Sequence, residues 1–502
     1  MDNPNIRLGN ELRDDEYDDD TYTRNRLKTM IRTLLFSTDV NQRRNVFLTG
    51  PAGVGKSELI KHIISTCPSH INLGITATTG LAANLIGGVT LNSFLGIGLG
   101  RDTVLNTVRN IKRNASIVDR WIKTDVLIVD EVGMLTAELF DKLNEIGKIV
   151  RRQKNEIFGN IRLLFAGDFL QLPCINGTFC FESGTWSLAA FKTIYLRTSM
   201  RQLDDRFRTC LNNARVGQLT DDDVHTLNTC RLDESDTIKA TKIFCKNVDV
   251  DHINEQHLYS LNADRVYRYD IEIVQRSDGG GCGGCCDGST AATAVVGDLS
   301  SKRSLIEETV RKQCNASTVV RLSVGAQVML IANIDQSTGL VNGSRGVVMS
   351  FNKADNCPIV RFKNQTRPIG YHSWEVKIDE RRQRQCSSSS SSSSSSSLVS
   401  TVFDVYQIPL KLGYAVTVHK SQGCTIDAAF IDLKDVFEFG QAYVAISRVK
   451  NLQSLHIVNV DRDKFKANAS ALRYYSNLQM SSCVSEVTND DDNDDDTYSV
   501  FD

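Results

Sequence analysis

The 502-residue sequence lacks the features that mark several protein classes. It has no apolar run of the roughly 20 residues that cross a membrane, which excludes a membrane-spanning class and predicts a soluble protein without a membrane partner. Its start, MDNPNIRLGNELRDDEYDDD, lacks the apolar core of a secretory signal and the arginine-rich character of a transit peptide. Its 14 cysteines show no disulfide-like spacing, which favours a reducing compartment. We expect a nuclear location, with the cytosol as the alternative.

Acidic residues are concentrated at the two ends of the chain. Residues 1–20 carry a net charge of −6 and residues 484–502 carry −8, so the residues between them carry +12 although the whole chain has −2. A basic core with acidic, disordered tails is typical of a protein that binds a polyanion. Ordinary solvated surface charge is the alternative.

Short apolar segments alternate with longer amphipathic ones in the first half. NVFLTG, LGITATT, DVLIVD and IRLLFAGD each end in small or acidic residues. This pattern predicts a parallel sheet with helical crossovers and functional groups at the carboxyl ends of the strands. TKIFCKN, DAAFIDL and LQSLHIVNV repeat the pattern in the second half, around an interruption between about residues 270 and 400.

Two low-complexity segments and several strand-like segments make up this interruption. SDGGGCGGCCDG and a serine run at residues 387–397 offer no side chains for a core, and we interpret both as flexible loops. Alternating residues and an Asn-Gly turn between them predict a small β-barrel. Cys282, Cys285 and Cys286 have the spacing of half a zinc site, but the absence of a second pair favours a plain loop.

The segment GPAGVGKS, residues 50–57, lies between a predicted strand and a predicted helix. In this phosphate-binding loop the glycines let backbone N–H groups turn toward phosphate oxygens. The glycines concerned are Gly50, Gly53 and Gly55. We expect Lys56 to reach the β- and γ-phosphates of ATP and Ser57 to ligate Mg²⁺.

Acidic and amide residues follow two further predicted strands. Asp130 ends DVLIVD and is suited to hold the Mg²⁺ shell, and Glu131 is suited to polarise the attacking water. Gln171, after LLFAGD, is a neutral amide that can sense the γ-phosphate and orient that water. The alternatives are an acidic surface turn and a plain strand-to-loop turn. An acid pair beside a phosphate loop favours hydrolysis of the nucleotide.

Two arginines lie beyond this first α/β region, Arg201 in LRTSMRQ and Arg448 in AYVAISRVK. Positive charge on the γ-phosphate is most effective in the transition state of phosphoryl transfer. Arginines supplied by a second domain make hydrolysis depend on closure of a cleft, as a motor requires.

Eight segments together resemble superfamily-one DNA helicases, most closely the petite-integration-frequency (PIF) type related to RecD helicases. In order they are GPAGVGKS, TATTGLAANLIGGVTLNSF, IVDEVGM, AGDFLQLP, LRTSMRQ, GLVNGSRGVV, AVTVHKSQGCTID and QAYVAISRVKNLQSL. The resemblance covers roughly residues 25–465. It implies an α/β fold of two RecA-like P-loop domains in tandem with ATP between them, the second carrying an inserted small SH3-like β-barrel. It also implies movement from 5′ to 3′ on single-stranded DNA and unwinding at duplex junctions.

Charge, composition and the resemblance together divide the chain into segments. They are an acidic disordered tail (1–22), a first RecA-like domain with the phosphate loop and a small wedge insertion (23–200), the first part of a second RecA-like domain (201–275), a flexible Gly/Cys-rich insertion (276–315), an SH3-like β insertion with the serine loop (316–403), the second part of the second RecA-like domain (404–475), and a second acidic disordered tail (476–502).

The resemblance also assigns roles around the segment TVHKSQG. Gln422 and Gly423 are implied to face the nucleotide, although a helix cap is the alternative for Gln422. The residues implied to contact the DNA strand are Thr417, His419, Ser421, Thr78, Thr79 and Phe94. An aromatic in a basic groove can stack on a base, and a core position is the alternative for Phe94.

Three positions depart from the family pattern. The first glutamine of the chain, Gln42, is too close to the phosphate loop to read adenine, so selectivity for ATP is open. Asn92 replaces a histidine in NSF, and DEVGM stands in place of DEISM. Both changes concern DNA coupling, since neither removes a catalytic group.

Two other function classes compete with a monomeric DNA helicase. A nucleotide-gated DNA clamp needs none of the catalytic groups above, and a small-molecule phosphoryl transferase does not explain the basic core. The pathway is open between replication, recombination, repair and telomere maintenance, and so is a cellular, viral or mobile-element source. A viral source would imply the host nucleus.

Deletion of residues 387–397 should leave DNA-stimulated ATP hydrolysis nearly unchanged, because shortening a flexible loop changes its closure entropy only logarithmically. Hydrolysis rates and a thermal unfolding curve of the deletion variant measure this. Loss of the unfolding transition would mean that the serine run is an ordered part of the fold.

Overall fold

The structure is a computed structural model that describes most of the chain. The described residues are 15–98, 100–174, 177–232, 240–261, 265–275, 299–313, 316–332, 334–335, 338, 340, 344–362, 365–381, 398–485 and 498–501. The serine run, the segment SDGGGCGGCCDG and most of the two acidic tails therefore lie outside the described residues. The chain divides into two compact units, one formed by Met1–Asn247 with Val416–Asp502 and the other by Val248–Ala415.

The first unit begins with alternating helices and strands. They are α1 (Asp15–Phe36), β1 (Val46–Thr49), α2 (Lys56–Ser65), β2 (Leu73–Ala77), α3 (Gly80–Leu85), β3 (Val89–Thr90), α4 (Leu91–Leu95), α5 (Val104–Lys112), α6 (Ala115–Lys123), β4 (Val126–Asp130), α7 (Ala137–Val150), β5 (Arg162–Gly167), α8 (Gly184–Leu188), β6 (Lys192–Leu196), α9 (Asp205–Val216), α10 (Asp221–Thr229) and β7 (Thr241–Phe244).

The second unit is rich in antiparallel strands. Its elements are α11 (Asn247–Ser260), β8 (Tyr267–Asp270), β9 (Glu272–Gln275), α12 (Leu299–Gln313), β10 (Val319–Leu322), β11 (Gln327–Leu330), β12 (Arg345–Phe351), β13 (Pro358–Phe362), β14 (Thr366–Pro368), β15 (His372–Arg381), β16 (Leu398–Gln407) and β17 (Leu410–Leu412). A five-stranded sheet has the order β14-β13-β12-β11-β17, and a three-stranded sheet has the order β15-β16-β9. The SH3-like description of this insertion stays a prediction.

The chain then returns to the first unit. The remaining elements are β18 (Ala415–Thr417), α13 (Val418–Ser421), β19 (Ala429–Asp432), α14 (Gln441–Ile446), β20 (Leu455–Val458), α15 (Ala469–Ser485) and β21 (Tyr498–Phe501). A four-stranded sheet has the order β18-β7-β19-β20, in which β19 is parallel to both β7 and β20. The three strands predicted for this region, β7, β19 and β20, are confirmed.

A seven-stranded sheet dominates the first unit, with the order β21-β6-β1-β5-β4-β2-β3. All its pairs are parallel except the pair of β21 with β6. β1 and β4 are buried at every residue, as expected for strands covered by helices on both faces. The core on one face contains a dense aromatic cluster that includes Phe47, Phe140, Phe165, Phe169 and Trp186. Two RecA-like α/β domains in tandem account for these two sheets, as predicted.

The domain limits differ from the prediction in three places. Helix α1 begins at Asp15, within the segment predicted to be disordered, and Leu27, Ile31 and Leu35 of this helix are buried on one helix face. The second tail contributes the end of α15 and the strand β21, whose alternating residues pair with β6. The compact unit that contains the β-rich insertion spans Val248–Ala415, whereas the predicted insertions cover 276–315 and 316–403.

Within the part of the chain that the structure describes, none of the helices combines the length and the apolar character that crossing a membrane requires.

A buried ion pair anchors the carboxyl end of β5. The Arg215 guanidinium in α9 donates from Nη2 to Asp168 Oδ1 at 2.7 Å and from Nε to Oδ2 at 2.9 Å, and neither side chain is more than 6% exposed. Tyr475 of α15 donates to the same carboxylate at 3.3 Å and shares a hydrogen bond with Thr49 at the end of β1. Burial alone would raise the pKa of Asp168, but Arg215 outweighs burial and holds that pKa below its ordinary value.

Replacing Arg215 with Met should lower the free energy of unfolding of the first unit by about 3–5 kcal/mol, because the Asp168 carboxylate is left buried and unpaired. The control is Arg206→Met in the same helix, whose pair with Asp222 is solvent-exposed and is worth about 1 kcal/mol or less. Urea unfolding followed by tryptophan fluorescence measures both variants. Equal midpoints for the two variants would contradict a structural role for the buried pair.

Candidate active site

The carboxyl ends of four parallel strands bring the predicted functional residues to one edge of the large sheet. Thr49 at the end of β1 is in register with Gly167 of β5, and Ala77 at the end of β2 is in register with Asp130 of β4. Four of the eight motif segments, GPAGVGKS, TATTGLAANLIGGVTLNSF, IVDEVGM and AGDFLQLP, contain or directly follow one of these positions. The arrangement follows from the parallel order of the strands, since parallel strands end at the same edge.

The phosphate loop connects β1 to α2, as predicted. Gly53 and Gly55 have φ values of +85° and +88°, a region that favours glycine and that turns successive N–H groups inward. The ammonium group of Lys56 donates to the carbonyls of Gly50 and Pro51 at 2.7 and 2.8 Å. Burial lowers the pKa of Lys56, and the nearby carboxylates, Asp168 foremost, oppose this shift. The loop therefore holds its lysine inside the cradle where phosphates bind.

Ser57 and Asp130 meet directly. The Ser57 hydroxyl donates to Asp130 Oδ2 at 2.8 Å, and the other carboxylate oxygen accepts from the Glu131 backbone N–H. Burial raises the pKa of Asp130, while the hydrogen bond from Ser57 opposes that shift. A hydroxyl and a carboxylate at this spacing form a hard oxygen donor set that fits Mg²⁺. Among the described residues, no group of three or more His, Cys, Asp or Glu side chains is arranged to hold a metal ion, and the cysteine motif at residues 282–286 lies outside them.

Glu131 is an acid of the site with an unusual backbone conformation and a raised pKa. Its φ is +55°, a left-handed conformation that is costly for a residue other than glycine and that is common at functional sites. Burial, assisted by the charge of Asp130, raises the pKa of Glu131 to about 6, and Lys56, Arg448 and a hydrogen bond from Gln422 act against this rise. A carboxyl group with such a pKa is suited to accept a proton near neutral pH.

Gln422 reaches Glu131 from the second RecA-like region. Its side-chain N–H donates to Glu131 Oε2 at 2.9 Å across a separation of 291 residues. Its Oε1 is buried and has no hydrogen-bond donor among the residues that the structure describes. Gly423, with a φ of +79°, is close enough that a Cβ there would lie 3.9 Å from Glu131 Oε1. These contacts with the Glu131 carboxylate go beyond the helix-cap alternative, although Gln422 also follows the last residue of α13.

The two predicted arginines lie side by side. Arg201 donates to the Ser447 carbonyl at 2.8 Å, and Arg448 is buried with its Nε donating to the Val444 carbonyl at 2.8 Å. Burial, with the charge of Arg448, lowers the pKa of Arg201 to about 10. Burial also lowers the pKa of Arg448, and the Glu131 carboxylate opposes that shift. Both guanidinium groups are therefore poorly solvated positive charges, which a phosphate would stabilise.

Gln171 lies beside Asp168, and its role at the γ-phosphate stays a prediction. Its side chain is buried and its amide donates to Asp168 Oδ2 at 3.3 Å, so it belongs to the group around the Asp168–Arg215 pair. Its backbone carbonyl is close to Gly440, where any Cβ would collide with it. The Gln171 amide does not contact Glu131 within the part of the chain that the structure describes.

The residues predicted to contact DNA divide into two groups. Thr417 and Ser421 are buried, and their hydroxyls bond to the backbone of α13 itself, the first by accepting from Lys420 N–H and the second by donating to the Val418 carbonyl. Neither hydroxyl therefore has an exposed surface to offer. The residues in the second group, which are half-buried, are Thr78, Thr79, Phe94 and His419.

The half-buried residues have specific neighbours. The Thr78 hydroxyl donates to the Glu131 carbonyl at 2.8 Å, and Thr79 accepts from the Ala82 N–H at the start of α3. Phe94 packs against the large core, as the core alternative proposes, and the Arg120 guanidinium carbon is 5.7 Å from its ring centre. The fourth, His419, shares a hydrogen bond of 2.8 Å with Glu438.

Several functional neighbours were not found from the sequence. Arg215 and Tyr475 hold Asp168, and Tyr443 of α14 accepts from the Ala52 N–H of the phosphate loop at 2.8 Å. Gln202 donates to the Val449 carbonyl at 2.8 Å and is fully buried. Tyr443 lies within AYVAISRVK and Gln202 lies within LRTSMRQ. A polar side chain inside such a motif is the sequence signal that could have identified each of them.

Comparison with known proteins gives matches over most of the chain. The PIF1-like helicase family matches residues 24–223, and the 2B domain of DNA helicase Pif1 matches residues 306–351. The ATP-dependent DNA helicase PIF1 of Xenopus laevis is 35% identical over 461 residues, which are 89% of this chain and 64% of that protein. The chain therefore spans slightly less than two thirds of the length of this relative.

Solved structures match the same fold. The crystal structure of Pif1 helicase from Candida albicans has a TM-score of 0.73 at 30% identity and covers 94% of this chain and 100% of that chain. The crystal structure of Pif1 helicase from Bacteroides in complex with ADP-AlF3 and ssDNA has a TM-score of 0.66 at 26% identity. It covers 90% of this chain and 97% of that chain. With the phosphate loop, the acid pair and the two arginines gathered as described, these matches show that the chain belongs to the PIF1-like helicase family.

Proposed function

We propose that this protein is an ATP-dependent DNA helicase that moves from 5′ to 3′ along single-stranded DNA and unwinds duplex junctions. The observation that carries the proposal is the hydrogen bond from Gln422 to Glu131. It joins the second RecA-like region to the acid that is suited to activate water in the first. Hydrolysis and the relative position of the two regions are thereby linked, which is what a motor requires.

Nucleotide binding rests on the phosphate loop. Lys56 exchanges its contacts with the loop carbonyls for the β- and γ-phosphates, and the inward N–H groups take up the remaining oxygens. Ser57 and Asp130 are the residues that would hold Mg²⁺, which supplies positive charge to the β- and γ-phosphate oxygens when bound. The Bacteroides relative crystallised with ADP-AlF3 supports a nucleotide at this position.

Hydrolysis then depends on groups from both RecA-like regions. Glu131 accepts a proton from the attacking water, and the unpartnered Oε1 of Gln422 is an acceptor that can fix the orientation of that water. Arg201 and Arg448 supply positive charge as the γ-phosphate leaves. A pure DNA clamp has no use for Glu131 or for these arginines, so their assembly favours the motor over the clamp.

Coupling to DNA runs through the ends of β2 and β4. The Thr78 hydroxyl donates to the Glu131 carbonyl. A DNA strand that moves Thr78 and Thr79 therefore also acts on the backbone of the catalytic acid. His419, one turn before Gln422, is the corresponding contact in the second region. Thr417 and Ser421 shape α13 instead of contacting the strand. The charge of +12 between the acidic tails supplies the attraction for a polyanion.

The cellular setting is also part of the proposal. We infer a monomeric motor in the nucleus, or in the host nucleus for a viral source, serving replication, recombination, repair or telomere maintenance. The net positive charge between the acidic tails supports a setting in which the protein meets DNA.

A duplex with a 5′ single-stranded tail should be unwound with ATP and Mg²⁺, whereas a duplex with a 3′ tail should not. Lys56→Ala should abolish unwinding and hydrolysis, because no other group replaces its charge on the phosphates. A strand-displacement assay on the two substrates, with the variant as control, measures both. If the protein binds single-stranded DNA in an ATP-dependent manner but displaces a strand from neither substrate, the nucleotide-gated DNA clamp would be favoured.

The pH dependence of hydrolysis tests the contact between Gln422 and Glu131. Glu131 has to be ionised to accept a proton, so kcat should fall as the pH drops through about 6. Gln422→Ala removes a donor that stabilises the ionised form, so the pKa of Glu131 should rise and the acidic limb should move to higher pH. Thr425→Ala, an exposed position on the same segment, is the control. An acidic limb that stays in place in Gln422→Ala would separate Gln422 from the water-activating acid.

A further inference from the structure

A cavity of about 260 Å³ opens beside the phosphate loop. It lies between α1, α2, the end of β6 and the strand β21. Its lining residues include Arg24, Lys28, Gly55, Glu58, His62 and Tyr498. The remaining walls are apolar side chains and Thr198. No function assigned above uses this cavity.

The position of the cavity points to the base and sugar of a nucleotide. Gly55 ends the phosphate loop, and Glu58 and His62 lie on the first turns of α2. A nucleotide whose phosphates occupy the loop has to extend its sugar and base away from it, and this cavity is adjoining space. Its volume is below the roughly 300–1,000 Å³ of a pocket for a drug-sized ligand, which suits one ring system rather than a whole nucleotide.

Gln42 does not serve this cavity. It precedes β1, whereas the phosphate loop follows β1, so the two lie at opposite ends of the strand. The Gln42 side chain accepts a hydrogen bond from the Ser37 hydroxyl at 3.0 Å. The groups that contact a base must therefore come from elsewhere in the chain.

Strand β21 contributes one wall of the cavity. It runs antiparallel to β6, with Tyr498 opposite Leu196 and Val500 opposite Ile194. Tyr498 and Val500 pack against the core on one side of the sheet, together with residues of α1 such as Leu27. Tyr498 is thereby held at the cavity by strand pairing and by core packing.

The opposite wall is basic and is tied to the arginine segment. Arg24 of α1 contacts the Met200 sulfur at 2.7 Å, and Met200 directly precedes Arg201. A Cβ at Gly55 would also collide with Met200, so this side chain lies directly over the end of the loop. Arg24 and Lys28 suit the polar sugar and the phosphate nearest to it, while Tyr498 contributes an aromatic side chain to the wall, where a base can pack.

We propose that Tyr498 of β21, in the wall of the cavity next to the phosphate loop, is a determinant of nucleotide affinity through contact with the base. The inference rests on the proposed function, because it extends the nucleotide site of that function. It gives β21 a role in recognition: the phosphates are held by the loop, and the base is held in part by a strand distant in sequence.

Isothermal titration of the full-length chain with ATP and with inorganic tripolyphosphate tests this role. Tyr498→Ala should weaken ATP binding on the order of fivefold, as expected for one lost aromatic contact, and should leave tripolyphosphate binding unchanged. The matched control is Ser499→Ala, which alters the neighbouring residue on the other face of the same strand and should change neither affinity. Thermal unfolding of both variants checks that β21 remains paired.

The titration results distinguish a wrong role for Tyr498 from a wrong nucleotide site at the phosphate loop. Unchanged ATP affinity in a folded Tyr498→Ala variant would overturn the base site while leaving the phosphate loop intact. An equal loss for ATP and tripolyphosphate would also overturn it, because Tyr498 would then support the loop and not the base. If Lys56→Ala leaves ATP and tripolyphosphate binding intact, the nucleotide site itself is wrong. Tyr498→Phe should retain the wild-type affinity, since it keeps the ring.

Discussion

The buried Asp168–Arg215 pair is the interaction on which the chemistry of the first unit depends. An unpaired carboxylate at the end of β5 would attract the nearest cation, and Asp168 is the carboxylate that acts most strongly on Lys56. Because Arg215 neutralises Asp168 with two hydrogen bonds, Lys56 stays available for phosphates. Tyr475 adds a tie to Thr49, so the ends of β1 and β5 are fixed by residues from α9 and α15.

The site is assembled from both RecA-like regions. Asp130, Glu131 and Lys56 come from the large sheet, whereas Gln422 and Arg448 come from the segments around β19. Each of these charges is poorly solvated, so each is sensitive to the position of the others. A small separation of the two regions would remove the hydrogen bond between Gln422 and Glu131. The geometry thus supports a hydrolysis step that proceeds only when the two regions are together.

The sequence was sufficient where the chemistry follows local pattern. The strands β1, β2, β4 and β5 and the phosphate loop were predictable, because apolar runs and glycine spacing are short-range signals. The meeting of Glu131, Gln422 and Arg448 followed from motif order. Contacts made by distant residues were not predictable: Tyr475 and Asp168 are 307 residues apart and share no local pattern. The strand β21 was missed because four alternating residues behind a run of aspartates give little periodic signal.

The pairing of β21 with β6 has a consequence for how the protein is made. A strand at the border of a sheet presents free backbone donors and acceptors, which can pair with another chain. The ribosome completes the rest of the large sheet long before it synthesises β21, which follows every other described element. During that interval β6 is an edge strand with one side unpaired, so the nascent chain can pair with strands of other chains. Synthesis of β21 closes this border and ends the period in which aggregation is most probable.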